Sequence, residues 1–392
     1  MFNFDTSTDR QNSNSEKYTK RDKLFGTNDI TPMWVADMDI DTPMFVLDAI
    51  KERLKHPVLG YESIPQSMYQ AQISWLDRRY GAKFDTADML YSPSVVASIG
   101  IAIEAFSDIG DNIIVQTPVY PQFFKSIKRY KRDILENPLI EKDDGSWIMD
   151  IKNLKSQINK KTKLLILCNP HNPVGRSWHK DELEQLLDVC IKNNIIVFSD
   201  EIHCDLVYTP HKHTVFSSID DRAKDITVSA FGVGKSFNLA GLSTSTVAIQ
   251  NKKIKNKFME VYNKIHFPQG SILSCVAFET AYKYSDIWLE ELKIHLWQNY
   301  ISLKNLCDKY PQYIKITPIE ATYLAWLDCK SIGKNSKQIE SFFIDKAKLG
   351  LSRGVFFGKS GSGFMRLNFA VSTAAMAKAL RQLDTALREL KH

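Results

Sequence analysis

The chain has 392 residues, 44% of them hydrophobic and 24% charged, with a formal net charge of +6 at pH 7. This length predicts two or three domains, and the composition is typical of a globular enzyme. No run of like charges indicates a nucleic-acid surface, and no stretch reaches the ~20 apolar residues of a membrane span. The polar N-terminus and six scattered cysteines, which have no Cys-x-x-Cys spacing, predict a cytoplasmic protein with reduced thiols.

The first part of the chain combines an arm with two helices. Residues 1–30 show little periodicity, and an apolar segment that ends in acids follows at residues 32–39. Helical spacing predicts two helices, at residues 43–54 and 68–80. Between them Tyr61 lies in a predicted exposed turn, where its residue type alone suggests a packing role.

A capped helix follows. Ser94 is a good N-cap for an apolar helix that ends near Phe106. The backbone N–H groups of Val95 and Val96 are then expected at the positive end of the helix dipole. Such an end binds phosphate without a cationic side chain, although most capped helices bind nothing.

From residue 112 onward, apolar strand-like runs alternate with helical segments. This alternation predicts a mainly parallel sheet covered on both faces, and such sheets bind ligands beyond the carboxyl ends of their strands. The polar or aromatic side chains that follow these ends are Tyr120, Asn172, Asp200 and Lys235. We expect these four side chains to meet in space.

After residue 285 the pattern changes to a long helix, strand-like segments and a final amphipathic helix capped by Ser372. This part predicts a smaller α+β domain to which the N-terminal arm returns. The predicted division is an arm with part of the small domain at 1–45, a large cofactor-binding domain at 46–284 and a C-terminal small domain at 285–392.

Lys235 stands between two strand-like runs and has three interpretations. The Gly-Lys-Ser sequence that ends at Ser236 fits the end of a phosphate-binding loop, but Ser229 replaces the leading glycine. The lysine also suits a Schiff base with pyridoxal phosphate (PLP). A solvated lysine in a turn is the third interpretation.

The surrounding residues suit PLP. This cofactor needs an amine, an anion beside its pyridine nitrogen, a face to stack on and a phosphate cradle. The groups that supply these, in the same order, are Lys235, Asp200, Tyr120 and the helix that begins after Ser94. Asn172 suits the phenolic oxygen of the ring, and Arg366 offers a planar fork for a substrate carboxylate.

A P-loop ATPase is the competing interpretation, because Asp200 and Glu201 end a strand as the acidic residues of such enzymes do. Three features oppose it: the missing glycine, the lack of a long helix directly after Ser236, and an acidic strand that precedes the lysine. It also leaves Asn172, Tyr120 and Arg366 without a role.

Several motifs resemble those of fold-type I PLP enzymes. They are Asp200-Glu-Ile-His203, Lys235-Ser-Phe-Asn238, Cys168-Asn-Pro-His-Asn-Pro-Val-Gly175 and Phe364-Met-Arg-Leu-Asn368. More narrowly, further motifs resemble the MalY/PatB group of cystathionine β-lyases, which are carbon–sulfur lyases. These are Pro32-Met-Trp-Val-Ala-Asp-Met-Asp39, Gly60-Tyr61, Thr117-Pro-Val-Tyr120 and Ala321-Thr-Tyr-Leu-Ala-Trp-Leu-Asp328.

The resemblance covers nearly the whole chain and implies an α/β fold, with a mainly parallel seven-stranded sheet between helices and a smaller α+β domain. It implies α,β-elimination from L-cystathionine or other L-cysteine S-conjugates, which yields pyruvate, ammonia and a thiol. A class I/II aminotransferase is the alternative enzyme, and a non-enzymatic role as a binding partner of a regulator is a third possibility. The residues do not identify the leaving group.

The resemblance also implies roles for individual residues. Lys235 forms the Schiff base and moves the substrate's protons, and Asp200 faces the pyridine nitrogen. Tyr61 reaches the phosphate of the neighbouring subunit, which implies a homodimer and replaces the packing role suggested above. The remaining implied roles are the ring oxygen for Asn172, stacking for Tyr120, the α-carboxylate for Arg366 and the substrate pocket for Trp34 and Tyr323.

Two positions depart from common patterns. Gly232 stands where relatives commonly have a phosphate-binding serine, so the cradle is expected to use backbone amides and Ser94. His203 stands where aminotransferases usually have a tyrosine. The lyases also have histidine there, and His203 is expected to be one of the cofactor-binding residues.

Neither a metal site nor a nucleophilic thiol is predicted. His211 and His213 form a His-Lys-His sequence, but no third ligand lies nearby in the chain. Cys204 follows Asp200 closely and is expected to be a small buried residue.

Overall fold

The computed structural model describes residues 2–265, 267 and 270–390. Its apolar runs form a seven-stranded sheet in which six strands are parallel, and one strand, Ser245–Ala248, is antiparallel to both neighbours. The order across the sheet is Met89–Ser92, Ser245–Ala248, Thr227–Gly232, Ile196–Asp200, Thr162–Cys168, Asn112–Thr117 and Asp133–Pro138. The predicted mainly parallel sheet is confirmed.

Both faces of this sheet are buried, as continuous apolar strands require. Side chains alternate along a strand, so Leu165 and Leu167 join one hydrophobic cluster while Leu164 and Ile166 join another. The helices of this part of the chain are Met44–Leu54, Gln66–Tyr80, Val95–Phe106, Pro121–Arg129, Ile151–Gln157, Lys180–Lys192, Lys252–Lys264 and Ile272–Tyr284.

A smaller α+β unit follows, built around a four-stranded antiparallel sheet. Its strands, in order across the sheet, are Lys315–Ile316, Leu324–Asp328, Phe364–Asn368 and Ser352–Arg353. Its helices are Asp286–Cys307, Ser336–Ser341 and Thr373–Glu389, with a π-helical turn at Phe342–Lys346. The Ser372 hydroxyl caps the last helix by accepting a hydrogen bond from the Ala375 N–H group.

The N-terminal arm packs against this second unit. Thr31–Pro32 pairs in parallel with Leu349–Gly350, and Asp39 forms a parallel bridge with Val371. The arm, which showed little periodicity in the sequence, contains short helices at Glu16–Thr19 and Arg21–Phe25. Helices of four and five residues are too short to display a 3.6-residue hydrophobic period. The domain boundaries predicted above stay predictions.

The remaining regular elements are short. A hairpin joins Ile140–Glu141 to Trp147–Ile148, and single 3₁₀ turns occur at Thr86–Asp88, Phe216–Ser218, Ala223–Asp225, Ala240–Leu242, Gly354–Phe357 and Lys359–Gly361. Among the described residues, no helix has both the length and the apolar character needed to cross a membrane.

Candidate active site

Four neighbouring strands of the large sheet carry the predicted site residues at their carboxyl ends. Asp200 is the last residue of its strand, and Lys235 follows the strand Thr227–Gly232 next to it. Asn172 and Tyr120 follow the ends of the next two strands. Because parallel strands end at the same edge, these groups meet, and the Asp200 carboxylate affects the pKa of both Lys235 and Tyr120.

Lys235 lies in the four-residue helix Val233–Ser236 rather than in a phosphate loop ahead of a long helix. Its neighbour Ser236 is anchored by a 2.7 Å hydrogen bond to a carboxylate oxygen of Asp205. The Lys235 amine donates a hydrogen bond to the carbonyl oxygen of Ala36. The amine therefore contacts the N-terminal segment, and the neighbouring Ser236 is held by a carboxylate, so the P-loop interpretation is wrong.

The amine of Lys235 has a lowered pKa. Burial is the main cause, and the positive charge of Arg366 adds to it, so that the pKa falls to about 8. The carboxylates of Asp37 and Asp200 act in the opposite direction. A lysine of this kind is partly neutral near pH 8, which a proton-accepting amine requires.

Asp200 is a buried carboxyl group. Burial raises its pKa to about 7, although Lys235 and a 3.2 Å hydrogen bond from the Ile202 N–H group oppose the shift. In the protein alone, the positive charge near Asp200 is therefore too small to keep its buried carboxyl group fully ionised at neutral pH. A cation placed beside Asp200 restores its ionised form.

Arg366 reaches the site from the small sheet and is buried there. Its Nη1 atom donates to Asn172 Oδ1 at 3.0 Å, and its Nη2 atom donates to the Trp34 carbonyl oxygen at 2.8 Å. Within the described residues its Nε atom has no hydrogen-bond partner. Burial also lowers its pKa, to about 10. Among the described residues this guanidinium forms no ion pair, so it suits an anionic ligand.

Two aromatic rings complete the wall next to Arg366. The Tyr323 hydroxyl donates to the Ala36 carbonyl oxygen at 3.1 Å, and the Tyr323 ring meets that of His203 edge-on at 6.2 Å. Burial, followed by the charges of Lys235 and Arg366, lowers the pKa of His203 to about 3. His203 is therefore neutral at ordinary pH.

Trp34 makes one hydrogen bond through its side chain and another through its backbone. Its indole N–H group donates to the Lys17 carbonyl oxygen at 3.2 Å, while its own carbonyl oxygen accepts the hydrogen bond from Arg366. Trp34 therefore contacts Arg366 through its backbone, and the predicted role of its ring in the substrate pocket stays a prediction.

In the predicted phosphate cradle, the Ser94 hydroxyl oxygen already accepts a hydrogen bond from the protein. The Ser94 hydroxyl accepts a 3.1 Å hydrogen bond from the Ala97 N–H group, which confirms the N-cap. Val95 and Val96 are the first helical residues, and their N–H groups have no acceptor within the helix. A Cβ atom at Gly232 would lie 3.3 Å from the Cβ atom of Ser245, so a side chain there is tightly confined.

Tyr61 stands apart from these groups. Its side chain is 103% exposed in the single chain, and it follows the first long helix of the large unit. The single chain brings together the strand-end residues, Arg366, His203 and Tyr323, but not Tyr61.

The sequence did not reveal the roles of Ala36 and Asp37. The Ala36 carbonyl oxygen receives hydrogen bonds from both Lys235 and Tyr323, and the Asp37 carboxylate acts on the pKa of the same lysine. A backbone carbonyl has no residue-type signal. The motif at residues 32–39 indicated that this segment matters, but not which of its atoms contact the lysine.

The comparisons agree with this architecture. The aminotransferase class I and II family matches residues 28–383, and the chain belongs to that family. Within it, the cystathionine β-lyase PatB of Bacillus subtilis is 36% identical over 386 residues, which cover 98% of this chain and 100% of PatB. The resemblance to the MalY/PatB group is confirmed.

Two solved structures are similar over the full length, each with a TM-score of 0.96. One is a PLP-bound protein of Clostridium difficile 630 that is described provisionally as an aminotransferase. It is 36% identical, and the match covers 99% of this chain and 100% of that protein. The other is cystalysin of Treponema denticola, which contains PLP; it is 33% identical and covers 100% of both chains.

The residues present fit PLP. Asp200 is a buried acid that lacks a cation, and the buried Nδ1 atom of His203 and Nε atom of Arg366 have no partner among the described residues. Lys235 supplies an amine of lowered pKa at the same strand edge. An anionic, aromatic aldehyde with a basic ring nitrogen matches these groups.

Proposed function

We propose that this protein is a PLP-dependent carbon–sulfur β-lyase that acts on L-cystathionine or another L-cysteine S-conjugate. With cystathionine, one water is consumed, and homocysteine, pyruvate and ammonia are released. The proposal is carried by one observation: a lysine of lowered pKa lies beside a buried acid and a buried arginine in a chain 36% identical to PatB over nearly its full length.

PLP, when bound, withdraws electrons from the substrate Cα atom and makes its proton acidic. Lys235 is the base that takes this proton, because a pKa of about 8 leaves part of the amine neutral near pH 8. The electrons of the Cα–H bond then form a Cα–Cβ double bond as the thiolate leaves Cβ. The released enamine hydrolyses to pyruvate and ammonia.

Other residues hold and orient the reactants. Arg366 binds the α-carboxylate with its fork, and its hydrogen bond to Asn172 fixes the plane of that fork. Asp200 keeps the ring nitrogen protonated, and Asn172 and Tyr120 hold the ring by its oxygen and its face. The neutral imidazole of His203 lies against the Tyr323 ring, and these two side chains with Trp34 form the substrate wall.

The proposed phosphate site is the beginning of the helix Val95–Phe106, with backbone N–H groups and Ser94 as donors. This assignment is supported by the cap geometry and by the confined space at Gly232.

The first experiment measures pyruvate and free thiol after addition of L-cystathionine, together with the absorbance of the cofactor. The expected result is equal amounts of both products, lost in Lys235→Ala and kept in Lys224→Ala, since the Lys224 side chain is partly exposed and pairs with the exposed Asp221. Formation of a keto acid without thiol would instead favour an aminotransferase. A Lys235→Ala protein with undiminished thiol release would refute the assignment.

We also propose a homodimer in which Tyr61 reaches the phosphate of the neighbouring site. The proposal is supported by the fully exposed Tyr61 side chain and by exposed Val58 and Leu59 beside it. Mixing Lys235→Ala with a weakly active Tyr61→Phe protein tests it. Half of the sites in a hybrid dimer are then intact, so about a quarter of wild-type activity is expected on random mixing. Activity no greater than that of the two separate proteins would contradict the shared site.

The proposed location is the cytoplasm, supported by six cysteines that are all free and buried. The proposed ligands are the cofactor and a small amino-acid substrate, without nucleic acid or membrane. Cell fractionation tests the location.

A further inference from the structure

A second cluster of polar side chains lies outside the proposed active site. The Glu320 Oε1 atom is 3.9 Å from His179 Nε2 and 3.8 Å from His211 Nδ1. These three atoms lie within 4.8 Å of one another. Two imidazoles and one carboxylate form the ligand set of a zinc site with three protein ligands.

The histidine pairing differs from the one considered in the sequence. His213 is buried and bonds to Glu201, so it is not available to an ion. His211 instead faces His179, with the two rings 16° from parallel and their centroids 6.2 Å apart. The third ligand is Glu320, which is distant in the chain.

Glu320 is held in place independently of the histidines. Its Oε2 atom accepts hydrogen bonds from Arg176 Nε at 2.9 Å and from the Ser177 N–H group at 3.0 Å. Its backbone N–H group donates to Gly175, and its carbonyl oxygen accepts from Tyr208. These contacts hold the carboxylate so that its Oε1 atom faces the two imidazoles. Hydrogen bonds of this kind commonly orient the residues that bind a metal ion.

The charges near the cluster are balanced. Arg176 bonds to both Glu182 and Glu320, so this group of three carries one more negative than positive charge. Lys180 is paired with Glu184 at 3.6 Å and adds no net charge, while Lys212 offsets the remaining negative charge. The positions of the three ligands, and not a net local charge, therefore carry the case for a metal ion.

We propose that His179, His211 and Glu320 bind Zn²⁺, with water as the remaining ligand. Zinc bonds of about 2.0–2.1 Å place tetrahedral ligands roughly 3.4 Å apart. The observed 3.8 and 3.9 Å separations are slightly wider. The half-exposed ring of His211 and the exposed ring of His179 have room to turn inward, while the carboxylate stays fixed.

The proposed zinc site shares chain segments with the proposed active site. Its three ligands come from segments that also carry Asn172, His203 and Tyr323. Hydrogen bonds of 2.7 to 2.9 Å already join these segments, from Thr322 N–H to Leu206 and from Ala321 N–H to Gly175. An ion that binds all three segments stabilises the folded state by mass action, and we assign it a structural role.

Titration calorimetry of the metal-free holoenzyme with Zn²⁺ tests the site. One ion per chain with a Kd below about 100 µM is expected. His211→Ala and His179→Ala should each weaken binding at least about 10-fold, whereas His56→Ala, which removes an exposed histidine elsewhere, should not. Wild-type protein that binds no Zn²⁺, or binding that both site variants retain, would overturn the proposal.

A second measurement separates binding from folding defects. Zn²⁺ should raise the melting temperature of the wild type and of His56→Ala, but not that of His211→Ala, whose melting temperature without metal should match the wild type. An equal thermal shift in His211→Ala would refute the site, whatever the enzyme's activity proves to be.

Discussion

The guanidinium of Arg366 and the side-chain amide of Asn172 are joined by a 3.0 Å hydrogen bond, although they belong to different units of the fold. Arg366 lies on the small antiparallel sheet, and Asn172 follows a strand of the large one. One contact thus ties the proposed carboxylate-binding group to the proposed cofactor-binding group. The relative position of the two units determines the geometry of the pocket.

Replacing Arg366 with Lys should raise KM for L-cystathionine by about 10²-fold, with a smaller change in kcat. A lysine keeps the charge but not the planar fork, and it cannot make the bonds to Asn172 and the Trp34 carbonyl oxygen together. Steady-state kinetics measure the effect. The matched control is Arg353→Lys, since Arg353 pairs with Glu340. An unchanged KM in Arg366→Lys would exclude the proposed role.

Asp200 should make the cofactor-free protein lose stability as pH rises from about 4 to about 7. The folded-state pKa is raised from 3.8 to about 7, so the folded state holds a proton that the unfolded state has already lost over this range. The loss is at most about 4 kcal/mol and stops above pH 7. Denaturant unfolding at several pH values should show this decline in the wild type but not in Asp200→Asn. Parallel pH profiles for the two proteins would contradict the assignment.

Lys17 should be essential for the arm. Its ammonium is fully buried, 2.9 Å from a carboxylate oxygen of Asp39 and 3.4 Å from one of Asp37. Lys17→Met leaves acidic groups without this partner and should lower the free energy of unfolding by about 3–5 kcal/mol. Lys20→Met, at an exposed neighbouring lysine, should cost less than about 1 kcal/mol. Equal losses in the two variants, measured by urea unfolding, would show that burial of Lys17 is unimportant.

Gly175 should not tolerate alanine. Its φ is +70°, and an added Cβ atom would lie 2.8 Å from Ile319 Cγ2. Gly175→Ala should destabilise the protein by about 1–3 kcal/mol and weaken cofactor binding, because the same loop carries Asn172. The control is Gly241→Ala, where a Cβ atom meets nothing within 4 Å. Thermal unfolding and cofactor titration measure both effects, and a fully stable Gly175→Ala protein would disprove the prediction.

The sequence by itself determined the alternation of strands and helices, because continuous apolar runs and 3.6-residue periods are local signals. It also determined that Tyr120, Asn172, Asp200 and Lys235 follow strand ends, and parallel pairing then requires them to share one edge. The chemistry of these groups favoured PLP and added Arg366 as a carboxylate-binding group, and motif resemblance supported both interpretations.

Only the tertiary structure decided which groups surround Lys235. The Ala36 carbonyl oxygen and the buried Lys17 reach their positions through long-range packing, and neither has a local signature. The same holds for the meeting of His179, His211 and Glu320, which depends on how three separate loops fold together. Burial and distance, which set each pKa and each ligand geometry, are properties of the folded chain and not of any short stretch of it.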